Sequence, residues 1–213
     1  MTLAHELIRK ELIAETLAML DQGGIDAVKA RPLAAKVGVS VGSLYNLYGN
    51  LDGLLNEVCG VILIEFSDYM AAHAFKTFPL IEANEDFNLN QKSLEKLIAL
   101  AEGYMNFIAA YEARWTAMIR FNRLRQGGKA DDWYMTKQAE LFERIAVLLH
   151  MTHYEKDSVE LRRAARALWS SVHGIISLNF IGWREKEAFN ETLILIRIMV
   201  ESFVVGASKE QIK

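Results

Sequence analysis

The apolar and polar positions of this chain follow the period of a helix. Apolar residues recur at spacings of three and four, rather than two, in nearly every stretch, which predicts helices and no strands. A first amphipathic helix is expected over residues 8–20, and Gly23 and Gly24 are expected to end it. The further helices are predicted at about 31–37, directly after Ser40, and at about 51–76, 92–111, 112–123, 131–150, 156–182 and 190–208. The predicted fold class is therefore all-α.

Composition narrows the possible functions. Hydrophobic residues make up 52% of the chain before its 13 glycines are added, whereas roughly 45–50% with glycine included is usual. The excess indicates a buried subunit interface, an apolar ligand pocket or both. The single cysteine excludes a disulfide framework and fits a cytoplasmic location. The longest stretch without a charged residue, 167–183, contains serines, a histidine and an asparagine, so we expect a buried helix and no membrane span.

The stretch Ala30–Asn50 has the features of a helix-turn-helix. Gly38 permits the positive φ that ends a helix in a tight turn, and Ser40 is a good N-cap for the next helix. Gly42 lacks a side chain where the start of that helix would approach a phosphate backbone. Leu44 is expected to face the core, so the outward side would present Val41, Ser43, Tyr45, Asn46 and Tyr48. Two short helices joined by a Gly-x-Ser turn without any role in DNA binding would show a similar pattern.

Positive charge is concentrated in this stretch. The whole chain has a net charge of −3, from 24 Lys and Arg residues against 27 Asp and Glu residues, which argues against a broadly basic nucleic-acid binder. Between residues 27 and 51, however, Lys29, Arg31 and Lys36 are the only charged residues. A small surface of positive charge is what contact with phosphates requires.

In its order of residues this stretch resembles the DNA-binding domain of the tetracycline-repressor (TetR/AcrR) family of regulators. The resemblance covers residues 5–60 and is carried by Leu33-Ala34, Gly38-Val39-Ser40, Gly42-Ser43-Leu44-Tyr45, Tyr48 and Leu54-Leu55. It implies a three-helix helix-turn-helix domain over residues 1–50, and a helical domain over 51–213 that binds a small molecule and forms a homodimer. The helix from about 51 to 76 would link the two. Carried over by position, the residues expected at the DNA are Lys29, Arg31, Ser40, Val41, Gly42, Ser43, Tyr45, Asn46 and Tyr48.

The chain departs from the family pattern where a cap or a cation is usual. Lys29 stands where Thr or Ser usually caps the second helix, and Val41 stands where Lys, Arg or Pro is common. Gly49 and Leu51 occupy positions where Lys is usual. Because each lost phosphate contact releases roughly one counterion fewer, we expect modest non-specific DNA affinity that depends only weakly on salt. Val41 could instead contact a thymine methyl group, or simply pack.

Two helices near the C-terminus each carry two apolar rows. Such helices are expected to contact their own subunit on one side and a partner on the other, so that two copies would build a four-helix bundle. The residues expected at the dimer interface are Leu168, Val172, Ile175, Ile196, Val200 and Phe203, although both helices could instead be central in a monomer. Trp169-x-x-x-His173-Gly174 also resembles the signature of the TetR C-terminal domains called WHG, over about residues 92–205.

Aromatic residues and methionine in the middle helices suggest a pocket, since such side chains suit an adaptable apolar cavity. The residues expected to line it are Tyr104, Phe107, Tyr111, Trp115, Met118, Trp133, Trp169 and His173, although such stripes are also typical of an ordinary core. Arg114, Arg120 and Arg123 could receive an anionic ligand group or belong to a solvated face. His150 and His153 have a spacing that could hold a metal but lack a third soft ligand, so neither a metal nor a cofactor is expected.

Motifs of enzymes are absent from the sequence, which has no phosphate-cradling glycine loop, nucleophile elbow, HExxH or paired-carboxylate helix. The expected function is therefore that of a DNA-binding transcriptional regulator. It would repress from a pseudo-palindromic operator on double-stranded DNA until a small hydrophobic or aromatic effector releases it. The main alternative is an all-helical protein that binds a small molecule without regulating DNA, and a helical enzyme is a more distant one.

Overall fold

The computed structural model describes residues 3–77, 86–124, 132–152, 157–179 and 186–209. This part of the chain is helical and contains no strand, so the predicted all-α class is confirmed. The elements in order are α1 (Leu3–Gly23), a 3₁₀ turn (Ile25–Ala27), α2 (Ala30–Val37), α3 (Val41–Tyr48), α4 (Leu51–Thr77), α5 (Asp86–Leu124), α6 (Asp132–His150), α7 (Ser158–Asn179) and α8 (Lys186–Lys209).

Most helix ends lie where the sequence predicts them. After α1, Gly24 has a φ of 65° and its N–H donates to the carbonyl of Leu20 at 2.8 Å. Within α5, Tyr111 has a φ of −135° and a ψ of 44°, which are not helical values. The predicted boundary between residues 111 and 112 is therefore a kink inside one long helix. α1, α5 and α8 begin earlier than predicted, at Leu3, Asp86 and Lys186.

The chain divides into two compact units, and the first takes Met1–Glu65 together with Ala110–Tyr134. Fully buried leucines build its core, namely Leu12, Leu20, Leu33, Leu44 and Leu54. Arg114 donates to Asp21 at 2.7 and 2.8 Å and to Glu65 at 2.9 Å, while Arg120 donates to Asp26 at 2.8 Å. These ion pairs group the residues beyond the Tyr111 kink with the N-terminal helices, whereas the predicted domain boundary lies after residue 50.

The second unit takes Phe66–Ala109 and Met135–Lys213. Its core contains Phe66, Met70, Tyr104, Phe107 and Ile108, all almost fully buried, and α7 packs along α8. At Gly103 a Cβ would lie 3.0 Å from the Cα of Met70, so α5 approaches α4 there as closely as only glycine allows.

No single helix of the described residues is both long and apolar enough to cross a membrane. The pair formed by α3 and residues 51–74 of α4 meets the length and composition together, but it is bent by 63° at its junction.

Candidate DNA-binding surface and ligand cavity

The turn between α2 and α3 is built by two residues that the sequence singles out. Gly38 lies in the left-handed region with a φ of 74°, and its N–H donates to the carbonyl of Ala35 at 3.2 Å. The Oγ of Ser40 accepts a hydrogen bond from the N–H of Ser43 at 3.0 Å. The turn and the N-cap thus form as a helix-turn-helix requires.

One side of α3 is fixed in the first unit. Leu44 is fully buried, and Gly49 ends the helix with a φ of 77°. The Oδ1 of Asn50 then accepts a hydrogen bond from the N–H of Gly53 at 2.8 Å. A Cβ at Gly53 would lie 2.1 Å from the carbonyl oxygen of Tyr48, so glycine is required where α3 passes into α4.

The opposite side of α3 is open to solvent. Tyr45 and Asn46 are exposed, as are Ser40 and Gly42 at its start, while Val41 and Ser43 are half-buried. Lys29 and Arg31 are exposed at the start of α2. Lys29 occupies the N-cap of α2 and makes no capping hydrogen bond with its side chain. All nine residues expected at the DNA are therefore at least partly exposed, although the hydroxyl of Tyr48 is buried.

Tyr48 differs from its predicted outward position. The guanidinium of Arg9 lies 4.8 Å from the centroid of the Tyr48 ring and forms an ion pair with Glu57. Burial, and then the neighbouring carboxylate of Glu57, raise the pKa of Tyr48 to about 12. Tyr48 thus packs α3 against α1 and α4, and sequence reasoning missed Arg9 and Glu57 because they are 48 positions apart.

A cavity in the second unit is enclosed by side chains of five helices. Its volume is about 30 Å³, and about 400 Å³ when the surrounding space that is open to solvent is counted. Two of the predicted pocket residues, Tyr104 and Trp169, line it. The other lining residues are Met70, Leu97, Leu100, Ala101, Leu141, Ile145, Leu168, Val172 and Val200.

Four of the remaining predicted pocket residues do not line the cavity. Phe107 is buried against Phe66, with the ring centroids 5.1 Å apart. Tyr111, Trp115 and Met118 belong to the first unit. The side chain of Trp133 is outside the described part of the structure.

Tyr104 joins the cavity wall to a polar pair. Its hydroxyl is hydrogen-bonded to the Nδ1 of His173, 2.6 Å away, and the Nε2 of His173 lies 3.4 Å from the Oγ of Ser177. The rings of Tyr104 and Trp169 are stacked, with centroids 5.2 Å apart and planes inclined by 8°. His173 thus contacts the cavity wall through its hydrogen bond to Tyr104, without being a lining residue itself.

The residues predicted at the dimer interface lie largely inside the subunit. Leu168 and Val172 on α7 and Ile196 and Val200 on α8 are buried within the single chain, and Leu168, Val172 and Val200 line the cavity. Ile175 and Phe203 are half-buried. The exposed large apolar side chains among the described residues of these helices are instead Val159, Leu178, Ile194, Leu195, Ile198 and Val205.

Among the described residues, no group of three or more His, Cys, Asp or Glu side chains is placed to hold a metal ion. His150, at the end of α6, is exposed. His153 is outside the described residues, so the predicted pair remains a prediction.

Two family models match the chain. Residues 12–58 match the model described as bacterial regulatory proteins, tetR family, and residues 97–201 match the one described as tetracyclin repressor-like, C-terminal domain. The first match covers α2 and α3, and the second covers all the cavity residues except Met70. Trp169, His173 and Gly174 lie within the second match, and their finer resemblance to WHG domains stays a prediction.

Individual proteins are similar to the chain over most of its length. An uncharacterized HTH-type transcriptional regulator from Mycobacterium tuberculosis is 23% identical over 177 residues, which are 83% of this chain and 72% of the relative. A structure of a protein with unknown function from Rhodococcus sp. RHA1 has a TM-score of 0.67 at 17% identity, with 93% and 94% of the chains covered. The multidrug binding protein EbrR, complexed with imidazole, has a TM-score of 0.57 at 18% identity, with 90% and 88% covered. The two structures share the fold of this chain.

Proposed function

Because the chain belongs to the TetR family of DNA-binding transcriptional regulators, we propose that it is a ligand-responsive repressor of the cytoplasm. Regulators of this family are not enzymes, and homodimeric, ligand-binding repressors are typical of it. The observation that carries the proposal is the exposed side of α3, beside Lys29 and Arg31, on a helix whose other side is fixed by Leu44.

In the DNA-bound form, Ser43, Tyr45 and Asn46 contact bases or phosphates from the major groove. Lys29 and Arg31 contact phosphates, and Val41 lies at the groove. Ser40, Gly42 and Tyr48 act mainly by shaping and holding α3, as the cap of Ser40 and the burial of Tyr48 support. In a twofold dimer the two α3 helices would lie about 34–36 Å apart and read a pseudo-palindromic operator.

The dimer forms through the exposed apolar side chains of α7 and α8. Ile194, Ile198 and Val205 recur at helical spacing, and each has more than half of its side chain exposed. Leu178 on α7 is 84% exposed as well, and contiguous exposed apolar surface is what marks an interaction site. The interface we propose is therefore this outer row rather than the buried one.

A small hydrophobic or aromatic effector enters the cavity and releases the operator. It would bind the conformation that cannot span the two half-sites better than the one that can. α4 is continuous from the end of α3 to Met70 in the cavity wall, so we propose that it carries the shift. A coupling of about 1–3 kcal/mol, or 5–150-fold in operator affinity, would be enough.

Selection of bound duplexes from a random DNA pool tests this function. We expect a pseudo-palindrome, and we expect Tyr45→Ala and Asn46→Ala each to weaken its binding about tenfold or more without changing dimerisation. Val147→Ala, at an exposed position of α6, is the control and should bind the operator normally. A chain that selects no duplex at low salt, or whose Tyr45→Ala variant binds normally, would contradict the proposal.

A further inference from the structure

We propose that the effector is an uncharged, mainly aliphatic small molecule with at most one hydrogen-bonding group. This inference rests on the proposed function, because it names the chemical class of the ligand that would occupy the cavity of the second unit.

The wall of the cavity is aliphatic. Met70 on α4, Leu97 on α5, Ile145 on α6 and Val200 on α8 line it, and among the described residues that line it there is no Asp, Glu, Lys, Arg or His. A charged group that enters such a cavity loses its hydration without a partner to replace it, which costs several kcal/mol. The wall therefore selects against both carboxylates and ammonium groups.

The aromatic rings of the wall already contact one another. Trp169 stacks on Tyr104 and also contacts the rings of Phe66 and Phe142 edge-on, with centroids 5.9 and 6.3 Å away. The hydroxyl of Tyr104 is occupied by His173. A flat aromatic ligand would have to displace these contacts, whereas an aliphatic chain needs only the leucine, isoleucine and valine side chains.

Two of the three arginines that could have received an anion are engaged elsewhere, and the side chain of the third, Arg123, lies outside the described part of the structure. Arg114 and Arg120 belong to the first unit and pair with Asp21, Glu65 and Asp26. Lys96 is buried one turn before Leu100, but it is not a lining residue and takes part in an interaction of its own. An aliphatic carboxylate therefore has no cation in the wall.

One uncharged polar group is available near the wall. Ser93 is fully buried, and its hydroxyl has no hydrogen-bond partner among the described residues. Like Lys96 it is not itself a lining residue. It lies one turn before Leu97, on the face of α5 that also carries Tyr104, and unlike Lys96 it has no partner among the described residues. A single hydroxyl or carbonyl on the ligand would satisfy it, which limits the ligand to one polar group rather than several.

Calorimetric titration of the full chain without DNA tests the inference with four probes: octanol, octanoate, octyltrimethylammonium and naphthol. We expect octanol to bind at least about tenfold more tightly than each of the other three, a difference of about 1.4 kcal/mol. Ser93→Ala should reduce this preference for octanol without abolishing binding of the octyl chain.

Matched variants test whether the ligand binds in the cavity. Ala101 and Ala99 are both buried on α5, but only Ala101 lines the cavity, so Ala101→Met should weaken octanol binding about tenfold and Ala99→Met should not. Where these fail to fold, Val200→Thr and Val204→Thr on α8 give the same comparison with isosteric side chains, since only Val200 is a lining residue.

Several outcomes would overturn the inference. They are a preference for octanoate that Lys96→Met removes, a preference for naphthol or the cation, equal effects of the lining and control variants, and binding of no probe at all. None of these outcomes depends on DNA. A chain that binds octanol in the cavity but selects no duplex would instead contradict the proposed function and leave the inference intact.

Discussion

At the scale of single residues, the helix-turn-helix has fewer unpaired positive charges at its surface than the three cations of the sequence suggest. Lys36 forms an ion pair with Glu15 on α1. Lys29 and Arg31, by contrast, are exposed and form no ion pair with any residue that the structure describes. Two of the three cations are thus free to meet phosphates, which strengthens the expectation of a weak salt dependence.

Removal of these cations one at a time tests that expectation. Lys29→Ala and Arg31→Ala should each weaken non-specific DNA binding and lower the salt slope by about 2 in a dimer, because each subunit loses one phosphate contact and the slope is roughly −0.9 per contact. Lys36→Ala is the control and should leave the slope unchanged. Binding to random duplexes at several salt concentrations measures all three, and a steep slope in the unmodified chain would contradict the argument.

Local chemistry decides which of these residues the sequence could predict. The roles of Gly38 and Ser40 depend on hydrogen bonds to residues a few positions away, so the amino-acid sequence alone predicts the turn and the N-cap. The position of Tyr48 depends on Arg9 and Glu57, which only the packing of α1 against α4 brings together. No short-range pattern contains that information.

At the scale of elements, the kink at Tyr111 divides α5 between two environments. Tyr104 before it lines the cavity, whereas Trp115 and Met118 after it are buried in the first unit. The aromatic spacing of the sequence continues across the kink without a break. Periodicity therefore predicted a buried face correctly, but it could not show that the two halves of the face are buried in different units.

The second half of α5 is held by Arg114, and its removal should destabilise the first unit. The side chain of Arg114 is 18% exposed and bonds to both Asp21 and Glu65, so Arg114→Ala should lower the free energy of unfolding by about 1–2 kcal/mol after allowance for its partly solvated partners. Arg120→Ala, at a 50% exposed side chain with one partner, should have a clearly smaller effect. Urea denaturation measures both, and equal losses would mean that burial does not set the strength of these pairs.

At the scale of the whole molecule, the number of apolar rows was predictable but their assignment was not. The sequence shows two rows on each of the last two helices, and either could face a partner. In the structure Leu168, Val172, Ile196 and Val200 are buried inside the subunit, whereas Ile194, Ile198 and Val205 are exposed. The choice depends on contacts between helices, which a pattern along one helix does not contain.

A charge on the outer row should therefore separate the subunits. Ile198 is 57% exposed in the single chain, so Ile198→Glu should leave the fold intact, whereas a twofold interface would bury the new carboxylate twice. We expect the dimer dissociation constant to rise at least about 100-fold, or about 2.7 kcal/mol, and operator affinity to fall with it because one α3 reads only one half-site. Val147→Glu on α6, at a similarly exposed valine, should remain dimeric. Sedimentation equilibrium distinguishes the two variants. If the Ile198→Glu variant stayed as dimeric as the unmodified chain, the dimer interface would not include this face of α8.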